Sequence, residues 1–427
     1  MVVTSRTGSP PSKVAILAER LLPLMLVLSF LLVSVFNLLP EVLRLALTGA
    51  IAGYLVICVI AIAGRRTAGA ILGAIAFIGF LILNVISIPV MGRYDTLYFF
   101  SQYLFAFLAS VVVFLPQGAR LSRRNLGMLY LVLAAFFLIC VAQAFLGPPL
   151  VEAGKTRLAV FNGGEEGLHP SAYAIMAYLI FFVIVHRGLE PVLRFVNIAL
   201  GLVALVVLEL YIVRTAHLAL IVSALVYVLL AVGVYYRFPL GNLVLILVAF
   251  LIPAMVAGIL YLSTSSTDVF QALASYSSGR TASYLERLQL FADRSFFDQF
   301  FGLGAGSDII VGRQAWSWEA KDSHNDFLSF LLEFGYLGLL VFVLWCVSLL
   351  VASRSIGELA LVSGLIVTSA VSNGVFLRPT LFILFVMAIA IGRTIRPKTL
   401  APRGAHVQRR AWGTPASHAV RRQPARI

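Results

Sequence analysis

Apolar residues in this chain fall in long unbroken runs, separated by short stretches where charges, glycines and prolines gather. The runs cover 21–39, 45–63, 69–90, 95–115, 126–145, 171–186, 194–212, 216–236, 241–262, 325–351, 356–375 and 377–392. A run of about 17–25 apolar residues spans the ~30 Å hydrocarbon layer of a bilayer as a helix. Lipid offers the backbone no hydrogen-bonding partner, so such runs must satisfy their own peptide groups. They predict an all-α polytopic membrane bundle of about twelve transmembrane helices. The alternating pattern of barrel strands is absent. The first run follows a short basic segment with Arg6, Lys13 and Arg20. No small-residue cleavage site follows it, so it reads as an uncleaved first span.

Composition agrees with this pattern. Of the 427 residues 61% are hydrophobic and 12% charged, against roughly a quarter charged in a soluble domain. The formal net charge of +14 could suggest nucleic-acid binding, but its distribution says otherwise. Basic residues sit in short loops, at Arg65 and Arg66, at Arg120, Arg123 and Arg124, and at Arg187, Arg237 and Arg354, and in a tail from Arg393 onward that carries no acid. Cytoplasmic loops collect Lys and Arg, which puts both ends of the chain inside and leaves no role for nucleic acid. Five parts follow: 1–20, a cytoplasmic N-terminus; 21–262, helices one to nine; 263–323, a large outer loop; 324–392, helices ten to twelve; and 393–427, a basic disordered tail drawn to anionic membrane lipids. Cys58, Cys140 and Cys346 lie within apolar runs, too far apart for metal-ligand spacing, and read as packing residues. Neither an internal repeat nor an inverted pair of broken helices is evident.

Two outer segments are long, 147–170 and 263–323. The mixed charge of the second suits a folded cap over the bundle. Within it TASYLERLQLFAD, 281–293, places Tyr284, Leu288 and Phe291 on one helical face, which predicts an amphipathic helix at the interface.

The residues able to do chemistry gather near these outer segments. His324 stands at the threshold of the tenth span, where an imidazole is both partly desolvated and within reach of a polar substrate, as a general base requires. The other reading is that Ser323, His324 and Asn325 cap the helix. Within that span Gly335 and Gly338 let a neighbouring helix approach closely. Glu333 falls about 13 Å deeper than His324 and roughly on the opposite face, and a carboxylate there calls for a partner or a polar cavity. A structural pairing role is favoured over a catalytic one. Arg214 interrupts LYIVRTAHLAL between Glu209 and His217, and Arg280 follows the Ser/Gly-rich turn in SYSSGRTASYLE. Guanidinium groups in a weakly hydrated niche clamp a diphosphate through paired bonds; the alternatives are a snorkelling side chain for Arg214 and a solvated loop charge for Arg280.

The combination SGRTASYLERLQLFADRSFFDQFFGLGAGSDII, a spacer, then SHNDFLSFLLEFGYLGLLVF resembles the signature region of the bacterial O-antigen ligase and polysaccharide polymerase family over about 65 residues. The matching positions are Ser278, Gly279 and Arg280; Gly302, Gly304 and Gly306; His324, Asn325, Phe327 and Leu328; then Glu333, Gly335 and Gly338. Family-like features elsewhere are Gly167, His169 and Pro170, then Arg214, then Asn373 and Pro379. Arg214 follows Val213, where the family often shows a Ser-Arg pair.

The resemblance implies an inner-membrane glycosyltransferase with its active site facing the periplasm. Such an enzyme moves a glycan from an undecaprenyl diphosphate-linked donor to a sugar hydroxyl of a glycan or lipid A core acceptor, with inversion and with no metal or other cofactor. On that reading His324 is the catalytic base, Arg280 and Arg214 bind the diphosphate, and Asn325, Glu333 and His169 support them. The outer loops carry no Asp-x-Asp motif and no His/Cys cluster. Ligase and polymerase differ in their acceptor and are not separated by these residues. A transporter or flippase of lipid-linked oligosaccharide is the alternative, and a non-catalytic scaffold a weaker third.

Overall fold

The computed structural model describes residues 12–63, 67–91, 94–115, 121–152, 155–162, 168–235, 280–309, 325–371, 375–376 and 378–395. The protein is an all-α membrane bundle. Its helices are α1 (Lys13–Ser34), α2 (Glu41–Ile62), α3 (Ala68–Met91), α4 (Tyr94–Ser110), α5 (Arg123–Leu146), α6 (Leu168–Val185), α7 (Pro191–Tyr211), α8 (Arg214–Tyr235), α9 (Arg280–Ala292), α10 (Phe296–Phe301), α11 (Asp326–Ala352), α12 (Ile356–Val371) and α13 (Pro379–Ile395). Among the described residues eight helices are long and apolar enough to cross a membrane, and α4, α12 and α13 are shorter apolar helices. Eleven of the twelve predicted runs are therefore helical, and the ninth, 241–262, lies outside the described residues. A short antiparallel hairpin, β1 (Leu150–Glu152) with β2 (Lys155–Arg157), occupies part of the 147–170 segment.

Local chemistry sets several helix starts. The Ser12 hydroxyl accepts from the Ala15 N–H, and that of Ser122 from the Asn125 N–H, each supplying an acceptor to an otherwise orphaned donor. Pro191 and Pro379 stand at the first position of α7 and α13, where the missing N–H costs nothing. Helix α1 begins at Lys13, ahead of the predicted run, so Lys13 and Arg20 lie on its first turns.

The middle of the bundle is α13, whose residues Leu381 to Ile391 are buried without a break against α1, α4 and α6. Two close seams flank it. Along α3, Cβ atoms at Gly69 and Gly73 would sit 3.0–3.5 Å from atoms of Ala352, Ser348 and Phe114, and one at Gly79 2.9 Å from Val341. The missing side chains let α3 and α11 run antiparallel at short range, the dispersion-led packing that membranes favour. Gly364 of α12 meets Ala219 and Ser223 of α8 in the same way.

One end of the bundle is fastened by a buried ion pair. Arg393 donates through Nε (3.0 Å) and Nη2 (2.7 Å) to Glu358 Oε2, and also to the carbonyls of Val113 and, at 2.9 Å, Ala352. The Arg354 N–H adds a bond to the same carboxylate oxygen at 2.8 Å. Arg393 was expected to open the disordered tail. It instead belongs to the last turn of α13, because a buried carboxylate and two helix-end carbonyls satisfy its donors.

Candidate functional site

The tenth predicted run is not one straight helix. Gly335 has φ 66° and ψ −162°, a non-helical geometry inside α11. A straight helix would hold the rings of Phe330 and Phe342 about 18 Å apart, and those of Phe327 and Phe342 about 22 Å apart, at 1.5 Å per residue. Their centroids instead lie at 4.5 and 4.6 Å. The half-helix 326–334 is therefore folded back against 336–352, and Gly335 is the elbow. Such a backbone geometry is essentially confined to glycine. A Cβ at Gly335 would lie 2.5 Å from Gln299 O and from the Phe300 carbonyl. The sequence-based expectation of a close approach at Gly335 holds, with α10 as the neighbour.

Breaking a helix removes the N–H partners of the carbonyls just before the break, and buried carbonyls require replacements. Leu332 O accepts from Arg294 Nη1 at 2.6 Å and from the Ser307 hydroxyl at 3.4 Å; Glu333 O accepts from the Gly304 N–H at 2.7 Å. The Gly304 donor belongs to the turn Gly302-Leu303-Gly304-Ala305-Gly306, in which all three glycines have positive φ, Ser307 directly follows it, and Arg294 comes from the segment before α10. A Cβ at Gly302 would lie 2.1 Å from Glu333 O. The glycine turn and the E-x-G break are thus two sides of one contact. Burial holds the Arg294 guanidinium below its usual pKa, against the opposing pull of Asp298 and Asp308.

A buried polar group lies inside the elbow. The Tyr103 hydroxyl donates to Glu333 Oε2 at 2.6 Å, and the backbone N–H groups of Gly306 and Asp308 act on the same carboxyl. Asp308 sits 3.2 Å from Arg287 Nε through Oδ1 and accepts from the Ser329 hydroxyl at 2.7 Å through Oδ2. Both members of the ion pair are almost fully buried, Arg287 at 2% and Asp308 at 1% exposure. Glu333 does not lie deep beneath a continuous helix, as the 13 Å estimate assumed. It faces the loop turn that meets the elbow, and its partner is a tyrosine from α4. Asn325 caps the half-helix: Oδ1 accepts from the Phe327 and Leu328 N–H groups at 3.0 and 3.1 Å, and Nδ2 donates to Ala370 O at 2.6 Å.

The predicted site residues are placed as follows. His324 lies outside the described residues. Arg214 and Arg280 are described by their backbones, and each is the first residue of a helix, α8 and α9 respectively. His169 is the second residue of α6. Gly364 on α12 faces Ala219 and Ser223 on α8, and α12 runs antiparallel to α8. The Ala370 carbonyl, near the other end of α12 from Glu358, holds Asn325. The start of α6 lies at this end too. The Ser171 hydroxyl accepts from the Phe161 and Asn162 N–H groups, both at 3.2 Å, and the Tyr211 hydroxyl donates to Ala159 O at 2.8 Å. The starts of α6, α8 and α11 therefore share the end opposite the Arg393–Glu358 pair. Across the α7–α8 turn, His217 Nε2 lies 3.0 Å from Glu209 Oε2, so the two residues that bracket Arg214 in the sequence meet each other.

The amphipathic face of α9 is correctly predicted, but its partner is protein. Phe291, with Tyr284 and Leu288, packs on Leu328, Leu331 and Leu332 of the half-helix, which anchors the helix headed by Arg280 to the one capped by Asn325. Sequence reasoning did not single out Tyr103, Arg287, Arg294, Asp308 or Ser329. Arg287 carried a signal, as a charge beside Leu288 on the apolar side of α9, where only a buried partner makes it tolerable. Among the described residues no group of three His, Cys, Asp or Glu is placed to hold a metal ion.

The fold and this polar elbow define a helical membrane protein with a reinforced, discontinuous helix at one end. No family model matches the chain, and no curated protein matches it.

Proposed function

We propose that the protein is a bacterial inner-membrane glycosyltransferase of the O-antigen ligase or polysaccharide polymerase type, with both termini in the cytoplasm and the elbow facing the periplasm. It takes a glycan from undecaprenyl diphosphate and transfers it to a sugar hydroxyl of a glycan or a lipid A core. Arg280 and Arg214 grip the diphosphate and stabilise the charge that develops as the sugar–phosphate bond breaks. His324 takes the proton of the acceptor hydroxyl, and attack from the face opposite the diphosphate inverts the anomeric centre. Asn325, Glu333 and His169 hold the surrounding backbone.

The observation that carries this reading is the junction of the two resembling segments. The glycine turn at 302–306 and the Glu333-x-Gly335 break, which the resemblance pairs across a spacer, bond to each other directly through Gly304 and Glu333 at 2.7 Å. The starts of α8 and α11, headed by Arg214 and Asn325, supporting it further, lie at one end of α12.

The test is incubation of purified protein with a lipid diphosphate-linked glycan and each candidate acceptor. A ladder of products marks a polymerase and a single shifted product a ligase. His324→Ala and Arg280→Ala lower the rate on the order of 10²–10⁴-fold. Near wild-type transfer by both variants refutes the assignment.

The broken helix favours a second reading, because transporters bind anionic substrates at the ends of discontinuous helices. A flippase of lipid-linked oligosaccharide would move the donor across reconstituted vesicles without forming a covalent product.

A further inference from the structure

We infer that Asp308 is a positioning residue, the joint that fixes the helix headed by Arg280 against the half-helix capped by Asn325. The inference rests on the reaction proposed above and names how that site keeps its geometry. Asp308 Oδ1 faces Arg287 Nε at 3.2 Å, and Arg287 lies two turns along α9 from Arg280. Asp308 Oδ2 accepts from the Ser329 hydroxyl at 2.7 Å, one turn into the half-helix. One carboxylate therefore touches both elements from a third, the segment that leaves the glycine turn. Apolar contact between Phe291 and Leu328, Leu331 and Leu332 holds the two helices together but tolerates sliding, since leucine side chains repack at small cost. A buried ion pair with a second, directed hydrogen bond does not tolerate it. Sliding either helix lengthens a contact between groups that no water reaches, and a buried charge pulled from its partner is costly.

The spacing matters because transfer needs the diphosphate clamp and the acceptor's base on opposite sides of one sugar carbon. A misplacement of about 1 Å in such an arrangement costs on the order of a hundredfold in rate. The donor's diphosphate is also held by Arg214 on α8, which Asp308 does not touch, so loosening α9 lowers donor affinity less than it lowers turnover. Asp308 thus acts on turnover more than on donor affinity.

The experiment compares wild type with Asp308→Asn and Ser329→Ala, each purified whole and placed in lipid nanodiscs. Spin labels at Glu286→Cys on α9 and Leu340→Cys, an exposed position on the half of α11 against which the half-helix is folded, read the distance between α9 and the folded-back helix without any activity; the native cysteines are buried. Donor turnover and undecaprenyl diphosphate binding are measured on the unlabelled variants. The expected result is a broadened distance distribution, a kcat lowered ten- to a hundredfold and a distinctly smaller loss of affinity for undecaprenyl diphosphate. Ser329→Ala, which leaves the ion pair intact, gives a smaller change of the same kind if Asp308→Asn fails to fold. An unchanged distribution overturns the inference. So does a broadened one with wild-type kcat, or a loss confined to donor affinity. If the wild-type protein transfers nothing, the proposed reaction falls and takes the effect on turnover with it, whereas the distance measurement still decides whether Asp308 is the joint.

Discussion

Replacing Gly335 with alanine tests whether the elbow is fixed by the backbone. At φ 66° and ψ −162° an L-residue is strained by about 1–3 kcal/mol. The new methyl would also lie 2.5 Å from Gln299 O and the Phe300 carbonyl. These are backbone atoms of α10 and cannot rotate aside, so overpacking adds about 1–3 kcal/mol. The combined loss is about 4 kcal/mol, which in a chain of this size lowers Tm on the order of 5–10 °C. The assay is thermal unfolding in detergent, followed by tryptophan fluorescence, beside two companions. Gly302→Ala, with φ 78° and a Cβ 2.1 Å from Glu333 O, attacks the other side of the same contact and falls by a similar amount. Gly49→Ala meets nothing within 4 Å and sits in an ordinary helix, where alanine is the better former by about 1 kcal/mol; its Tm stays level or rises slightly. A Gly335→Ala protein that melts together with Gly49→Ala refutes the reasoning, because it would mean that α11 straightens without loss.

Three further outcomes follow from the buried polar groups. Arg393→Gln leaves Glu358 buried without its main partner and costs about 3–5 kcal/mol, read as a lower Tm and a smaller folded yield; Arg354→Gln keeps the backbone N–H bond to Glu358 and costs far less. Tyr103→Phe removes the hydroxyl that donates to Glu333 and destabilises by about 1–3 kcal/mol, most of which Tyr103→Phe with Glu333→Gln recovers in a double-mutant cycle. Cys58, Cys140 and Cys346 are buried, so a maleimide labels none of them in the folded protein and all three after denaturation in detergent, as counted by mass spectrometry.

The spans were legible because hydrophobic length alone decides what a bilayer accepts, and eleven of the twelve predicted runs contain a helix. The elbow was not legible as an elbow. Phe327 through Ala352 reads as one apolar run, and glycine has no side chain to announce whether it serves close packing or a backward turn; Gly79 does the first and Gly335 the second. Partners distant in sequence were equally hidden. Nothing local in Tyr103 points to Glu333, and nothing in Arg393 distinguishes it from the tail arginines until Glu358 is placed beside it. What was readable at the site was the grouping of Arg280, the glycine turn, Asn325 and Glu333, because their spacing carried the resemblance. What was missing was the reason for that spacing: a carbonyl freed at one position needs a donor from the other.

The position of α13 has a consequence for biogenesis. The helix that fills the middle of the bundle is the last one the ribosome makes among those described, emerging roughly 350 residues after α1. At 5–20 residues per second α1 waits about 20–70 s, and α6 about 10–40 s, before their central partner exists. During that interval the inward faces of α1, α4 and α6 have only lipid or the insertion machinery to lean on. A chain truncated ahead of Pro379 leaves those faces uncovered, and the expected outcome is faster degradation in the membrane than that of the full chain, read by pulse-chase.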